Sequence, residues 1–304
     1  MISFFLGAGF SKWCMNLPLV NDLFDFEISH VRPKDELWLN KLQSAKLLWD
    51  ESDGSNNELF IKSILEGSQV RIKKHLVKYL ARRLSEPFLS PHYGGGYQTY
   101  MFNDKPLQSI EGIKKAKDFF NNFNLDHITG IITTNYDLVI EYSLGTKNFH
   151  YYFKGEEVKG RGHNYVFPWN HTPVILEGDI KLAKIHGSLS NDGQYYWSSG
   201  ICGLNGNANI IPPIPEKETK PELNKEWISA TEILRNTNHL IVFGFNFNDY
   251  DSSILELLKS NSETIQRISI IDIESKLGKA RKIWNKEIIR EYHIHDLSQI
   301  AESY

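Results

Sequence analysis

The chain has 304 residues, 41% of them hydrophobic and 23% charged, with a formal net charge of −3 at pH 7. These values fit a globular protein able to bury one large core or two smaller ones, and they argue against a general nucleic-acid-binding surface. No apolar run approaches the ~20 residues that span a bilayer, and the N-terminus lacks the basic region and small-residue cleavage site of a secretion signal, so a cytoplasmic location is expected.

The first element is the mostly apolar run Ile2-Ser3-Phe4-Phe5-Leu6, read as a buried strand because it shows no sustained alternation. It stops in Gly7-Ala8-Gly9-Phe10-Ser11, a Gly-x-Gly turn with a hydroxyl where the next helix begins. Glycine there lets backbone come close to a ligand, and the free N–H groups of a helix start suit a phosphate. The dinucleotide fingerprint asks for a third glycine, and Lys12 stands in its place. By itself the stretch is either half a nucleotide motif or a tight strand-to-helix turn.

Asp22 to about Asn124 reads as a helical insertion. Trp38, Leu42, Ala45 and Trp49 share one helical face. Leu59 to Leu84 is helical with a break near Gly67; Ile72, Leu76, Leu80 and Leu84 face one way, and Arg71, Lys74, Lys78 and Arg82 form a basic stripe read as solvated. Pro87, Pro91 and Gly94-Gly95-Gly96 mark a long loop, and a helix spans about Ile110 to Phe123.

The second strand, Ile128 to Thr133, ends in Thr134-Asn135-Tyr136-Asp137 and runs directly into a helix. In a parallel sheet such a connection lies at the carboxyl edge, where ligands bind, although Thr134 and Asn135 are also good helix caps. Residues 147–179, rich in aromatics, glycine and proline, predict short antiparallel strands and loops. Leu182-Ala183-Lys184-Ile185 then leads into His186-Gly187-Ser188, which sets a histidine at a strand end. A helix near Leu223 to Arg235 precedes the strand Leu240 to Phe243, which ends in Gly244-Phe245-Asn246, and a helix follows over Ser253 to Lys259. The strand Ile268 to Glu274 carries Asp272, a carboxylate suited to a ribose hydroxyl pair or simply a solvated strand end. A helix near Ala280 to Ile289 and a short strand near Tyr292 to His295 close the chain. The pattern predicts a single α/β domain over 1–304: a Rossmann-like parallel sheet flanked by helices, with core segments 1–21, 125–146 and 180–304, a helical insertion (22–124) between the first two strands, and an aromatic loop insertion (147–179).

Taken in order, Gly7-Ala8-Gly9-Phe10-Ser11, Thr133-Thr134-Asn135-Tyr136-Asp137, His186-Gly187-Ser188 and Gly244-Phe245-Asn246 resemble the sirtuin superfamily, and the form is more like the sirtuin-like domains of bacterial antiphage defence proteins than the protein deacetylases. The resemblance implies that the Gly7–Ser11 turn (Gly7, Ala8, Gly9, Phe10, Ser11) cradles the pyrophosphate of NAD and that Asn16-Leu17-Pro18 closes over it. It sets Thr134, Asn135 and Asp137 beside the nicotinamide ribose, and makes His186, followed by Gly187 and Ser188, the catalytic histidine. Gly244, Phe245 and Asn246 then lie near the ribose and phosphates, and Asp272 near the adenosine ribose. The deacetylases carry a structural zinc module of two cysteine pairs. This chain holds two cysteines, Cys14 and Cys202, read as free thiols, so no such four-thiolate site and no metal is expected.

The implied reaction cuts the nicotinamide–ribose bond of NAD, which is a substrate rather than a hydride carrier. Asn135 orients the ribose and a water, His186 acts as base, and Asp137 holds the nicotinamide pocket. The expected activity is an NAD hydrolase of the kind that depletes NAD as a defence effector, giving nicotinamide and ADP-ribose if water attacks and a cyclic product if an adenine nitrogen does. The alternatives are an NAD-dependent deacylase and a non-catalytic NAD or ADP-ribose sensor. Unrestrained hydrolysis would empty a cell of NAD, so regulation is expected through a homo-oligomer or a partner protein such as an ATPase. No membrane partner is expected, and nucleic acid only indirectly.

Overall fold

Ile2–Leu6 is a strand with apolar side chains on both faces because both faces are covered. Phe4 and Leu6 point into one apolar cluster and Phe5 into another. The computed structural model describes residues 1–26, 28, 33–52, 54–85, 90–94, 97–101, 111–144, 149–153, 156–158, 162–163, 173–174, 180–191, 194–195, 209–215, 221–295 and 297. Among them an eight-stranded sheet forms the centre. Its strands are β1 (Ile2–Leu6), β2 (Ile128–Thr133), β3 (Phe149–Phe153), β4 (Glu156–Val158), β5 (Ile180–Lys184), β6 (His239–Phe243), β7 (Arg267–Asp272) and β8 (Ile289–His293), in the spatial order β8-β7-β6-β1-β2-β5-β3-β4. Every pair is parallel except β3–β4. The α/β, Rossmann-like class read from the sequence is the one observed.

Helices cover both faces, as a parallel sheet requires. On one face, α1 (Ala8–Met15), α5 (Glu111–Asn121) and α6 (Val139–Leu144) meet Phe4, Ile131 and Phe243; on the other, α7 (Asn224–Arg235) and α8 (Ser252–Ser260) meet Phe5, Ile132 and Val242. Phe4 is ringed by Phe119, Phe120 and Phe123 at centroid distances of 5.8, 5.3 and 5.1 Å, all edge-on, an arrangement that adds to area burial. The chain leaves β1 toward β2 and later returns to β6 on its other side, so the topological switch point lies at the carboxyl end of β1.

Between β1 and β2 lie α2 (Pro33–Ser52), α3 (Asn57–Glu66) and α4 (Val70–Ser85), which share a third apolar cluster reaching Leu189 and Ile210 at the carboxyl edge of the sheet. Several expectations change here. Arg82 is buried rather than solvated, and Lys78 lies 5.8 Å from the centre of the Trp38 ring, so the basic stripe is partly used in packing. The stretch expected as a loop around Pro91 contains the antiparallel pair Ser90–Gly94 and Tyr97–Met101. Pro87, Gly95, Gly96, Tyr165, Phe167, Trp169 and Cys202 lie outside the described residues. Residues Phe149–Phe153 pair antiparallel with β4, as expected of this segment, and through Phe149 and His150 they also pair parallel to β5 and extend the main sheet. The last helix is only α9 (Leu277–Ala280), followed by turns and then β8. No helix among the described residues is long and apolar enough to cross a membrane.

The glycines at the switch point serve backbone packing. A Cβ on Gly7 would lie 2.4 Å from the Gly244 carbonyl oxygen, one on Gly9 2.6 Å from the Gly244 Cα, and one on Gly244 2.4 Å from the Phe10 nitrogen. Gly244 also has φ +65°, a conformation side-chain-bearing residues avoid. Gly9→Ala and Gly244→Ala should each lower stability by about 1–3 kcal/mol or prevent folding, because the neighbouring atoms are backbone and cannot yield. Gly278→Ala, which meets nothing within 4 Å, should be neutral to slightly stabilising. Denaturant melts of the three variants test the contrast.

At the other end of the sheet His239 is buried, with Nε2 2.8 Å from the Ser269 hydroxyl. Burial, then the Arg267 and amino-terminal charges, lower its pKa from 6.5 to about 3. The folded value lies below the unfolded one, so this contribution to stability is complete above pH 6.5 and is lost as the pH falls toward 3, at about 1.4 kcal/mol per pH unit within that window. Melting temperatures measured at about pH 7 and about pH 5 should therefore converge in His239→Gln; an unchanged pH dependence would contradict the assignment.

Candidate active site at the carboxyl edge of the sheet

The site begins with the way β2 ends. Thr133, fully buried, donates its hydroxyl to the Leu6 carbonyl at 2.8 Å and accepts the Asn135 N–H at 3.0 Å, which turns the chain over the end of β1. That turn delivers the Asn135 side chain to α1. Its Nδ2 donates to the Gly7 carbonyl and to the Ser11 hydroxyl, both at 2.9 Å. A carbonyl can only accept, so the amide orientation is determined, and both amide hydrogens are engaged. Asn135 therefore offers a ligand its Oδ1, an acceptor.

Asp137 follows, 5% exposed, with Oδ1 accepting the Val139 N–H at 3.0 Å as the cap of α6. Tyr136, between the two, ties the turn to the segments around His186. Its hydroxyl donates to the Ile211 carbonyl and its carbonyl accepts the Leu189 N–H at 2.9 Å, while Ile211 N–H donates to the His186 carbonyl at 2.8 Å. One residue, Ile211, thus joins the Asn135 turn to the histidine through its N–H and its carbonyl. Burial pushes the Tyr136 phenol well above its ordinary value, which keeps it a neutral donor. Gly187 and Ser188 pair with Ile210 and Asn209 in a short antiparallel ladder that holds the segment after His186.

Beneath the turn is a buried ion pair. Lys184 Nζ lies 2.8 Å from Glu141 Oε1, with the side chains 2% and 3% exposed, and it also donates to the Asp137 carbonyl. Glu226, on α7, accepts the Lys184 backbone N–H at 3.0 Å. Burial pushes the Glu141 carboxyl above the usual range against the opposing pull of Lys184.

Ala8, Ser11, Pro18, Thr134, Asn135, Asp137 and His186 line one cavity of about 120 Å³, joined by Tyr136, Pro213 and an apolar roof of Leu17, Val20, Leu23, Leu80 and Leu84. The roof comes from the loop after α1 and from α4. Tyr79, fully buried, donates to the Leu23 carbonyl at 2.5 Å and accepts the Phe26 N–H at 3.2 Å, and Arg83 pairs with Asp25, so α4 holds that loop down. Sequence periodicity identifies Leu80 and Leu84 as a helix face but contains no signal that the face covers the carboxyl edge.

The other expected residues lie elsewhere. Gly7 and Gly9 N–H donate to the Phe243 and Gly244 carbonyls and Phe10 N–H to Gly7, which leaves exposed Ala8 as the turn residue open to a ligand. Phe10 is a core residue against Phe119, Phe120 and Phe243, and Phe245 packs edge-on to Phe5 at 4.9 Å. Gly187, Ser188, Gly244 and Asn246 do not line the cavity; Asn246 is exposed and accepts from Lys279 at 2.9 Å. Asp272 Oδ1 accepts the Ile273 and Glu274 N–H groups at 2.8 and 3.3 Å and lies 3.8 Å from Lys276 Nζ, so one oxygen of its carboxylate is held by its own turn.

The sequence profile of the SIR2-like domain matches residues 129–292, more than half of the chain and including both the Asn135 turn and His186. The chain belongs to the SIR2-like domain family. No curated protein matches this SIR2-like chain in sequence. Among solved structures it is similar to one described under the mechanism and regulation of Sir2 enzymes (12% identity over 99% of this chain and 90% of that one, TM-score 0.43). It is also similar to Sir2 in complex with an inhibitor, 2′-O-acetyl-ADP-ribose and a deacetylated p53 peptide (13%, 100% and 91%, 0.38) and to a Sir2 homologue in complex with NAD (13%, 99% and 86%, 0.37). With TM-scores below one half, membership of the SIR2-like family rests on the sequence match.

Lys184→Met should cost about 3–5 kcal/mol, because it leaves the Glu141 carboxylate buried and unpaired. Chemical denaturation of the variant checks this; a loss below about 1 kcal/mol would show that the pair is more hydrated than its burial implies.

Proposed function

We propose that this SIR2-like protein is an NAD hydrolase that cleaves the nicotinamide–ribose bond to give nicotinamide and ADP-ribose. The observation that carries the reading is the meeting, in one partly apolar cavity, of the Asn135 amide and His186 with Ala8 and Ser11 at the start of α1. Nicotinamide is cationic in NAD and leaves as a neutral pyridine with the electron pair of the broken bond, so no general acid is required. Water forms the new bond to the anomeric carbon, and its proton passes to His186, whose imidazole is a suitable base near neutral pH. Asn135 Oδ1 accepts a hydrogen bond from that water or from a ribose hydroxyl and orients it. Asp137 fixes the turn through its cap on α6, and Leu80 and Leu84 give the nicotinamide ring an apolar wall.

The cavity, about 120 Å³, is smaller than the ~300–1,000 Å³ of pockets that hold whole drug-sized ligands. It suits the nicotinamide end of NAD, with the remainder of the dinucleotide outside it. Unrestrained activity of this kind would exhaust NAD, and we place its regulation in self-association or in a partner protein such as an ATPase, in keeping with a defence effector.

Incubation of the purified protein with NAD should release nicotinamide without any acyl-lysine peptide. His186→Ala and Asn135→Ala should each reduce release at least ~100-fold, the scale of a lost base or a lost positioning group. Release only in the presence of an acyl peptide would identify a deacylase instead, and binding without turnover a sensor.

A further inference from the structure

The Lys184–Glu141 pair is costly. Two opposite charges are buried together, and apolar residues of similar volume would hold the core at least as well. Among the described residues Glu141 Oε2 has no hydrogen-bond partner, so the carboxylate is not fully compensated. What the ammonium does that an apolar side chain cannot is donate to the Asp137 carbonyl. Lys184 stands two residues before His186 in the chain, Asp137 two residues after Asn135, and Glu141 one helical turn beyond Asp137 on α6. The ammonium therefore spans from the strand that carries the histidine to both ends of the first turn of the helix that follows the asparagine.

We propose that Lys184 is a positioning residue whose ammonium, held by Glu141, grips the Asp137 carbonyl and sets the Asn135 turn against His186. The kinetic half of this assignment rests on the NAD-cleaving reading; the structural half does not. On the β1 side the turn is already tied through Asn135 and Thr133, and above it through Tyr136 and Leu189. The Lys184 contact supplies the third side, toward β5. Without it the turn keeps its ties through Thr133, Asn135 and Tyr136, but the Asp137 end of the turn loses its side-chain link to the strand that leads into His186.

The test is Lys184→Met combined with Glu141→Leu, which removes both charges and keeps the volume. The melting temperature should stay within a few degrees of wild type. Hydrogen exchange of the Asn135, Tyr136 and Asp137 amides should nevertheless accelerate at least ~10-fold, and kcat for nicotinamide release should fall at least ~10-fold with KM changed less. Wild-type exchange together with wild-type turnover in a stable double variant would overturn the proposal. If wild type itself releases no nicotinamide, the NAD-cleaving reading fails and the exchange data alone judge Lys184. Lys184→Arg is the second variant, for a double variant that does not fold: protection retained at Asn135–Asp137 supports the grip, and protection lost in a folded protein overturns it.

Discussion

The contact on which the rest of the architecture depends is the approach of two backbones at the carboxyl ends of β1 and β6. Gly7 and Gly9 lie so close to Gly244 that no side chain fits on any of the three, and the Gly9 N–H closes onto the Gly244 carbonyl at 3.0 Å. This closure determines where α1 starts and at what angle it leaves the sheet. Ser11 and the Gly7 carbonyl are then placed where Asn135 can reach both. The glycines often read as making room for a phosphate are, in this chain, first making room for each other.

A second principle is that the site is assembled from ties between strand ends rather than from one motif. Gly7 and Ser11, just after β1, receive the Asn135 amide, residue Ile211 joins Tyr136 to His186, and Lys184 joins β5 to the Asp137 cap of α6. Such ties are polar and buried, and each is expensive if left half-made. The surrounding cores, Phe4 with its aromatic ring on one face and Phe5 with α7 and α8 on the other, make the sheet stiff enough to hold them. The helical layer completes the enclosure by turning an ordinary apolar helix face, Leu80 and Leu84, into the roof of the cavity.

Much of this was legible in the amino-acid order. Apolar runs at Ile2–Leu6, Ile128–Thr133, Leu240–Phe243 and Ile268–Asp272 specify strands buried on both faces, hence a parallel sheet with helices between. The polar and glycine-rich stops of these runs and of Leu182–Ile185, Thr-Asn-Tyr-Asp and His-Gly-Ser among them, mark the carboxyl edge, where ligands bind in a parallel sheet. These signals are local: they depend on periodicity and on the conformational demands of single residues. The aromatic segment after α6 forms the short antiparallel pairs its composition predicts, but nothing local announces that its first strand also joins the edge of a distant sheet.

What only the tertiary structure decided is which marked residues share a space and which have other partners. Phe10 and Phe245 sit inside motif stretches yet are core, Asp272 is held by its own turn, and Arg82 leaves its solvated stripe for the interior. Lys184 and Glu141 carry no motif at all, and Tyr136 is the motif residue given no role, yet all three fix the geometry of the Asn135 turn. The physical reason is that hydrogen bonds and ion pairs are settled by distances between residues far apart in the chain. The sequence by itself determined the strands, their ends and the side chains offered there; the crossing of the chain from β1 to β2 and back to β6 determined which of them meet.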